Sequence, residues 1–133
     1  MARFSPDRRI RKRAEYLRVQ GCGITGRSKH FVVIVYIRDD DAPSRLGVVA
    51  SKRIGNAVTR NRGKRKVREW FRTYMDDVDK GSDVVIILRQ RAPDQDPTTI
   101  AAEIQRILPR LVSKARATFQ KSRACTGPSE DAP

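Results

Sequence analysis

Ala50-Ser-Lys-Arg-Ile-Gly-Asn-Ala-Val-Thr-Arg-Asn-Arg-Gly-Lys-Arg-Lys-Val-Arg-Glu-Trp-Phe-Arg72 is the stretch on which the reading of this chain turns. It is dense in Lys and Arg, yet it keeps an apolar rhythm that a disordered basic tail has no use for. Advancing about 100° per residue from Arg60 gathers Val67, Phe71, Tyr74, Met75 and Val78 on one side. Asn61, Arg65, Arg68 and Arg72 fall on a neighbouring stripe. Arg60 and Lys64 project close to the apolar side, while Arg62, Lys66 and Glu69 face away. The spacing predicts a helix with one buried face and a row of cations beside it. Asn56 is placed to cap its start after Gly55, and Gly81 to end it near residues 79–81. A rigid row of guanidinium groups can follow a phosphate backbone. Just upstream, Lys52 and Arg53 stand in a strand-to-helix connection, where backbone N–H groups at a helix N-terminus can hold phosphate; the plainer alternative there is an exposed loop.

The rest of the composition agrees. A chain of 133 residues with 38% hydrophobic content is one domain with a modest core. A net charge of +14 weakens such a domain by self-repulsion unless a polyanion neutralises it. Nucleic acid is the first candidate and an acidic membrane the second. A membrane-surface helix would expose its apolar residues, whereas this stripe is committed to a core, and no window has the length and apolarity of a membrane span. No protein partner is implied. Cys22 and Cys125 form neither a disulfide framework nor a metal-ligand spacing, and read as reduced thiols in a cytoplasmic protein. The basic run Arg8–Arg13 is followed by no apolar segment, so it is not a secretory signal.

Outward from the basic helix, the elements follow in order. Residues 1–11 read as a flexible basic arm. Residues 12–20 read as a short helix with Ala14, Leu17, Tyr16 and Val19 turned inward. Gly21, Gly23 and Gly26 leave room for a brief strand. Phe31–Ile37 is β-branched and aromatic, a strand; residues 39–44 are a turn; residues 45–51 are a strand placed to form a hairpin with the one before. Residues 83–89 carry a continuous apolar run suited to a central strand buried on both sides. Thr98 or Thr99 can cap a last helix running to about Gln120, with Ile100, Ile104, Ile107, Leu108 and Leu111 facing in and Pro109 kinking or interrupting it. Residues 122–133 read as a disordered tail. The folded domain thus covers residues 12–121, an α+β sandwich of order α-β-β-β-α-β-α.

Nothing in the sequence suggests that the polypeptide cleaves anything itself. Protein nucleases hold metal ions with clustered carboxylates or use paired histidines. This chain has one histidine, His30, which reads as a strand-edge residue. Its densest acids are Asp39–Asp41, in a turn, and Asp76, Asp77 and Asp79, at a helix end. No catalytic residue and no metal ligand is assigned.

Residues 51–72 resemble the signature of the bacterial ribonuclease P protein family, whose hallmark stands here as Arg60-Asn61-Arg62 followed by Lys64, Arg65 and Arg68. Arg3-Phe4, the basic lead into Ala14-Glu15-Tyr16, the strand opening at Phe31 and Leu46-Gly47-Val48 extend the resemblance over residues 3–118. The resemblance implies a fold like the second domain of a small-subunit ribosomal protein, with a left-handed βαβ crossover. It implies that a large catalytic RNA carries out the cleavage, and that the protein binds this RNA and the 5′ leader of precursor tRNA to give mature tRNA 5′ ends. Arg60, Asn61, Arg62, Lys64, Arg65, Arg68 and Arg72, with Lys52 and Arg53, become the RNA-binding set. Tyr16 would line the leader cleft and Phe31 would help floor it, a plain core position being the alternative for each. Gln20 and Ile34 stand where relatives carry aromatics, which shifts leader binding from stacking towards charge. Mg2+ is expected as a requirement of the RNA, not through a protein cage. The rival readings are a general or ribosomal RNA-binding module and a stand-alone metal-dependent nuclease.

Overall fold

The computed structural model describes residues 9–10, 12–38, 44–74 and 81–122. In chain order they form α1 (Arg13–Cys22), β1 (Ile24–Arg27), β2 (Phe31–Ile37), β3 (Arg45–Val49), α2 (Ala57–Tyr74), β4 (Ser82–Leu88) and α3 (Pro97–Ser122), with short 3-10 turns at Lys52–Ile54 and Ala92–Asp94. This is the expected α+β order. The end of α2 expected near residues 79–81, with Met75 and Val78, lies outside the described residues, as do residues 39–43 of the turn; Gly81 has a positive φ of 76°. Most of the expected arm and all of the tail beyond Ser122 also lie outside. Arg9 and Ile10 are the exception to a loose arm: Ile10 is buried and donates its N–H to the Leu46 carbonyl at 2.9 Å, on the edge of β3.

β4 is central, as its unbroken apolar run predicts. The sheet order is β1-β2-β4-β3, with β4 antiparallel to β2 and parallel to β3. The expected β2–β3 hairpin therefore does not form. Phe31 pairs with Leu88 and Leu46 with Val84, so β4 lies between the two strands. The physical reason is burial: a strand apolar on both faces gains most from neighbours on both edges, which leaves none of its backbone groups unpaired. β3, α2 and β4 make a parallel βαβ unit.

Alternation then sorts the side chains onto two faces. Phe31, Val33, Val35 and Ile37 of β2, Leu46 and Val48 of β3, and Val84, Ile86 and Leu88 of β4 pack against α2 and α3 in the main core. From α2 this core receives Val67, Trp70 and Phe71; from α3 it receives Ile100, Ile104, Leu108 and Leu111. Gly63 lets α2 come close: a Cβ there would stand 2.4 Å from Leu88 Cδ2 and 3.0 Å from Pro93 Cγ. Tyr74, expected inward, is 45% exposed, and Trp70 takes the inward place. α3 starts two or three residues earlier than the threonine caps suggest, because Asp96 accepts the Thr99 N–H at 2.8 Å and Pro97 opens the helix. Pro109 does not interrupt it; the residue is exposed, and water can serve the carbonyl its missing N–H leaves unbonded.

The other face carries α1. Val19 packs on Ile34 and Val85, while Ala14 and Leu17, expected inward, are exposed. With so little apolar contact, the helix is held by charge. Arg45 binds both oxygens of Asp83, at 2.9 and 2.8 Å, and reaches Glu15 of α1 at 3.0 Å; Arg38 adds a third bond to Asp83 at 2.7 Å. The Asp83 carboxylate, and after it Glu15, hold the Arg45 guanidinium above its usual pKa against the opposing effect of burial. Cys22, at the end of α1, is disulfide-bonded rather than the reduced thiol expected from its spacing; Cys125 lies outside the described residues. His30 is buried and bonds Glu103 of α3 through both its ring Nδ1 and its backbone N–H, the latter at 3.0 Å. It fastens the β1–β2 turn to α3.

Candidate nucleic-acid interface

α2 forms where the periodicity places it. Asn56 caps it by accepting the Thr59 N–H at 2.9 Å. Its cations then divide by direction. Arg60, Lys64 and Arg68, one turn apart, are half-buried along the flank next to the core. Asn61 and Arg65 form an exposed outer ridge with the half-buried Arg72. Arg62 and Lys66 lie on the opposite flank. Arg62 reaches Asp94 at 3.0 Å, and the Lys66 ammonium donates to the Pro93 and Gln95 carbonyls at 2.7 and 2.9 Å. Arg72 bonds Glu69 at 2.6 Å, which holds the Glu69 carboxyl below and the Arg72 guanidinium above their usual values. Arg60, Lys64, Arg65 and Arg68 pair with no carboxylate among the described residues.

Arg68 lies near enough to Tyr16 and Arg9 for their charges to act on it. Burial lowers the Arg68 pKa from its usual value, and the like charge of Arg9 lowers it further. Tyr16 is half-buried and hydrogen-bonded to the backbone of Val48; burial raises its phenol pKa despite that bond. Its ring packs close against β3 because residue 47 is glycine: a Cβ there would be 2.6 Å from Tyr16 Cε1.

Beside α1, the same face of the sheet stays partly open. Val32 pairs with Ile87, and Ile87 with Val49, so the three half-buried side chains form a row across β2, β4 and β3, continued on β1 by the exposed Arg27. These half-buried residues escape notice in the sequence, although alternation from an inward Phe31 places Val32 on this face. Phe31 itself is a correction: it is wholly buried in the main core on the opposite face, so it cannot floor a cleft beside Tyr16. Ile34 is covered by α1, and Gln20 is exposed. Lys52 and Arg53 are exposed in the 3-10 turn leading into α2. Among the described residues no three His, Cys, Asp or Glu side chains are grouped to hold a metal ion, and no helix is long and apolar enough to cross a membrane.

Fold and site together define a class: a small α+β domain whose second helix carries four cations with no carboxylate partner among the described residues. The family model for ribonuclease P matches residues 4–112, and the chain belongs to that family. The ribonuclease P protein component of Oleidesulfovibrio alaskensis is 40% identical over 105 residues, covering 76% of this chain and 81% of that protein. That of Syntrophus aciditrophicus is 41% identical over 96 residues, covering 72% and 80%. Among solved structures, the Staphylococcus aureus RNase P protein superposes with a TM-score of 0.69 at 32% identity, over 77% of this chain and 93% of that one. The Thermotoga maritima protein gives 0.68 at 33%, over 77% and 96%. Membership implies a ribonuclease P holoenzyme and partnership with its RNA.

Proposed function

We propose that this chain binds the catalytic RNA of ribonuclease P and the 5′ leader of precursor tRNA, and that the RNA carries out the phosphodiester hydrolysis. The observation that carries this reading is the set Arg60, Lys64 and Arg68: three half-buried cations with no carboxylate partner among the described residues, Arg68 lying close to Tyr16 of α1. A charge left uncompensated in a folded protein raises the free energy of the unbound state, and a polyanion relieves it. The outer ridge, Asn61 and Arg65, faces a second strand, so one helix lowers the repulsion between the catalytic RNA and the leader. Lys52 and Arg53 extend the cationic path past the start of α2.

An extended single strand laid along Val32, Ile87 and Val49 places its bases on an apolar floor and against the Tyr16 ring. Mature tRNA has no leader to occupy this strip, which makes the protein selective for the precursor. With Ile34 covered, charge contributes more than stacking. A salt slope for leader-dependent binding equal to that of a relative with two cleft aromatics would remove that part of the reading. Magnesium is assigned to the RNA, and protein cations reduce how much of it the complex needs. The protein works in the cytoplasm, where precursor tRNA is made.

The test is 5′ processing of a precursor tRNA at low magnesium by protein alone, catalytic RNA alone and both together. Cleavage in the mixture alone, leaving a mature 5′ phosphate, is the expected result. Cleavage by the protein alone would overturn the division of labour. Binding without any stimulation would favour a general RNA-binding module.

A further inference from the structure

We propose that the far side of α2 carries a pocket for one unpaired nucleobase of the catalytic RNA. This rests on the subunit reading above and adds a base contact to what is otherwise a charge-driven interface. The pocket, about 340 Å³, lies between α2 and the first turn of α3, with Arg65, Trp70, Thr73, Tyr74 and Thr98 in its lining. That volume is at the small end of the range for ligand sites, about 300–1,000 Å³. It suits a single flat heteroaromatic ring and is too small for a helix.

Three features select that occupant. Trp70 lines the pocket and is only 4% exposed, and its indole Nε1 is buried with no hydrogen-bond partner among the described residues. A buried donor needs an acceptor, which the carbonyl or ring nitrogen of a base supplies and an apolar side chain does not. Tyr74 is 45% exposed at the rim and offers a ring for stacking. Arg65, also at the rim, pairs with no carboxylate among the described residues and stands where the phosphate of the same nucleotide would lie. Glu69 also lines the pocket, but its carboxylate is engaged by Arg72 at 2.6 Å, so it does not repel that phosphate at full strength. Thr73 and Thr98 add hydroxyl-bearing side chains to the same lining.

Trp70 is the only tryptophan of the chain, so its fluorescence reports on the wall of this pocket and the core behind it. The wild-type protein is titrated with catalytic RNA and, separately, with heparin, a polyanion without bases. Quenching and a shift of Trp70 emission by the RNA, and none by saturating heparin, is the expected result. Equal changes with both, or none with either, would overturn the pocket. Trp70→Phe keeps the ring and removes the donor; Tyr74→Ala alters only an exposed position and covers the case in which the first variant folds poorly. Each is expected to weaken binding of the catalytic RNA about three- to tenfold, the worth of one hydrogen bond or one stacked base, with an unchanged salt slope. Unchanged affinity in both variants would sink the idea. If Trp70 stays silent while low-magnesium processing is still stimulated, the pocket falls and the subunit reading stands. If the RNA neither binds nor stimulates, both fall.

Discussion

On the face of the sheet that carries α2 and α3, Phe31, Val33, Val35, Val84 and Ile86 are completely buried and contact two long helices. On the face that carries α1, Val19, Ile34 and Val85 make a small apolar patch, and the Glu15–Arg45–Asp83–Arg38 network does the rest of the fastening. Tyr16, Val32, Val49 and Ile87 stay half-buried there. The same four strands thus serve two ends. One face stabilises the domain by removing apolar area from water. The other leaves apolar side chains half-exposed and holds its helix with directional bonds.

The largest effect that would sharpen this contrast is Phe71→Ala, on the packed face. It should cost about 3–5 kcal/mol of stability, read as a lower urea midpoint, while the molecules that remain folded bind RNA as before. A matching loss of RNA affinity in the folded fraction would break the division. Next comes Asp83→Asn, on the open face, which leaves Arg38 and Arg45 without their shared carboxylate. Removing one partner of a buried charge network costs roughly 3 kcal/mol, and here it should also loosen α1 and weaken precursor binding, because Tyr16 rides on that helix.

The two flanks of α2 give a finer test. Arg68→Ala should weaken binding of precursor tRNA about tenfold, the worth of a charge-assisted contact, and bind mature tRNA with much less change. Arg62→Ala, on the flank already bonded to Asp94, should alter either affinity far less. Equal losses for precursor and mature tRNA in the Arg68 variant would sink its leader-side role. Smallest is an acid effect on the packed face. Burial alone would raise the Glu103 pKa, but the bonds from His30 and Ser28 together hold it below its ordinary 4.5. A depressed carboxylate adds stability above the unfolded-state value, and that stability is lost as the pH falls through the lower folded-state value. The gap between wild type and Glu103→Gln, about 1 kcal/mol at neutral pH, should therefore shrink on acidification. A gap that stays constant would mean the carboxylate charge is irrelevant.

Much of this was legible from local pattern. The strand over residues 31–37, the one expected at 83–89 and found at 82–88, the Asn56 cap and the inward row Ile100, Ile104, Ile107, Leu108 and Leu111 all follow from side-chain period and capping chemistry. What was not legible depends on contacts distant in sequence. The hairpin expectation failed because β3 finds its partner beyond α2, in a strand more than thirty residues on. α1 was rotated wrongly because a ten-residue helix with one buried side chain carries almost no periodic signal. At the site, spacing located the cations but could not show that Arg62 is bonded to Asp94, which lies in a turn well downstream. Phe31 was ambiguous because an aromatic opening a strand belongs equally well to either face until the neighbouring layers are known.

The strand order also sets a timetable. β4 is the last strand to leave the ribosome, yet it is the one hydrogen-bonded to both β2 and β3. β1 and β2 can pair as soon as they emerge, but β3 has no strand beside it, and α2 no finished sheet to pack on, until residue 88 has been made. The most cationic segment is therefore synthesised before anything can order it. In a nascent chain its cations have no sheet to hold them in a row, and they take their final spacing against the core only when the central strand closes the sheet.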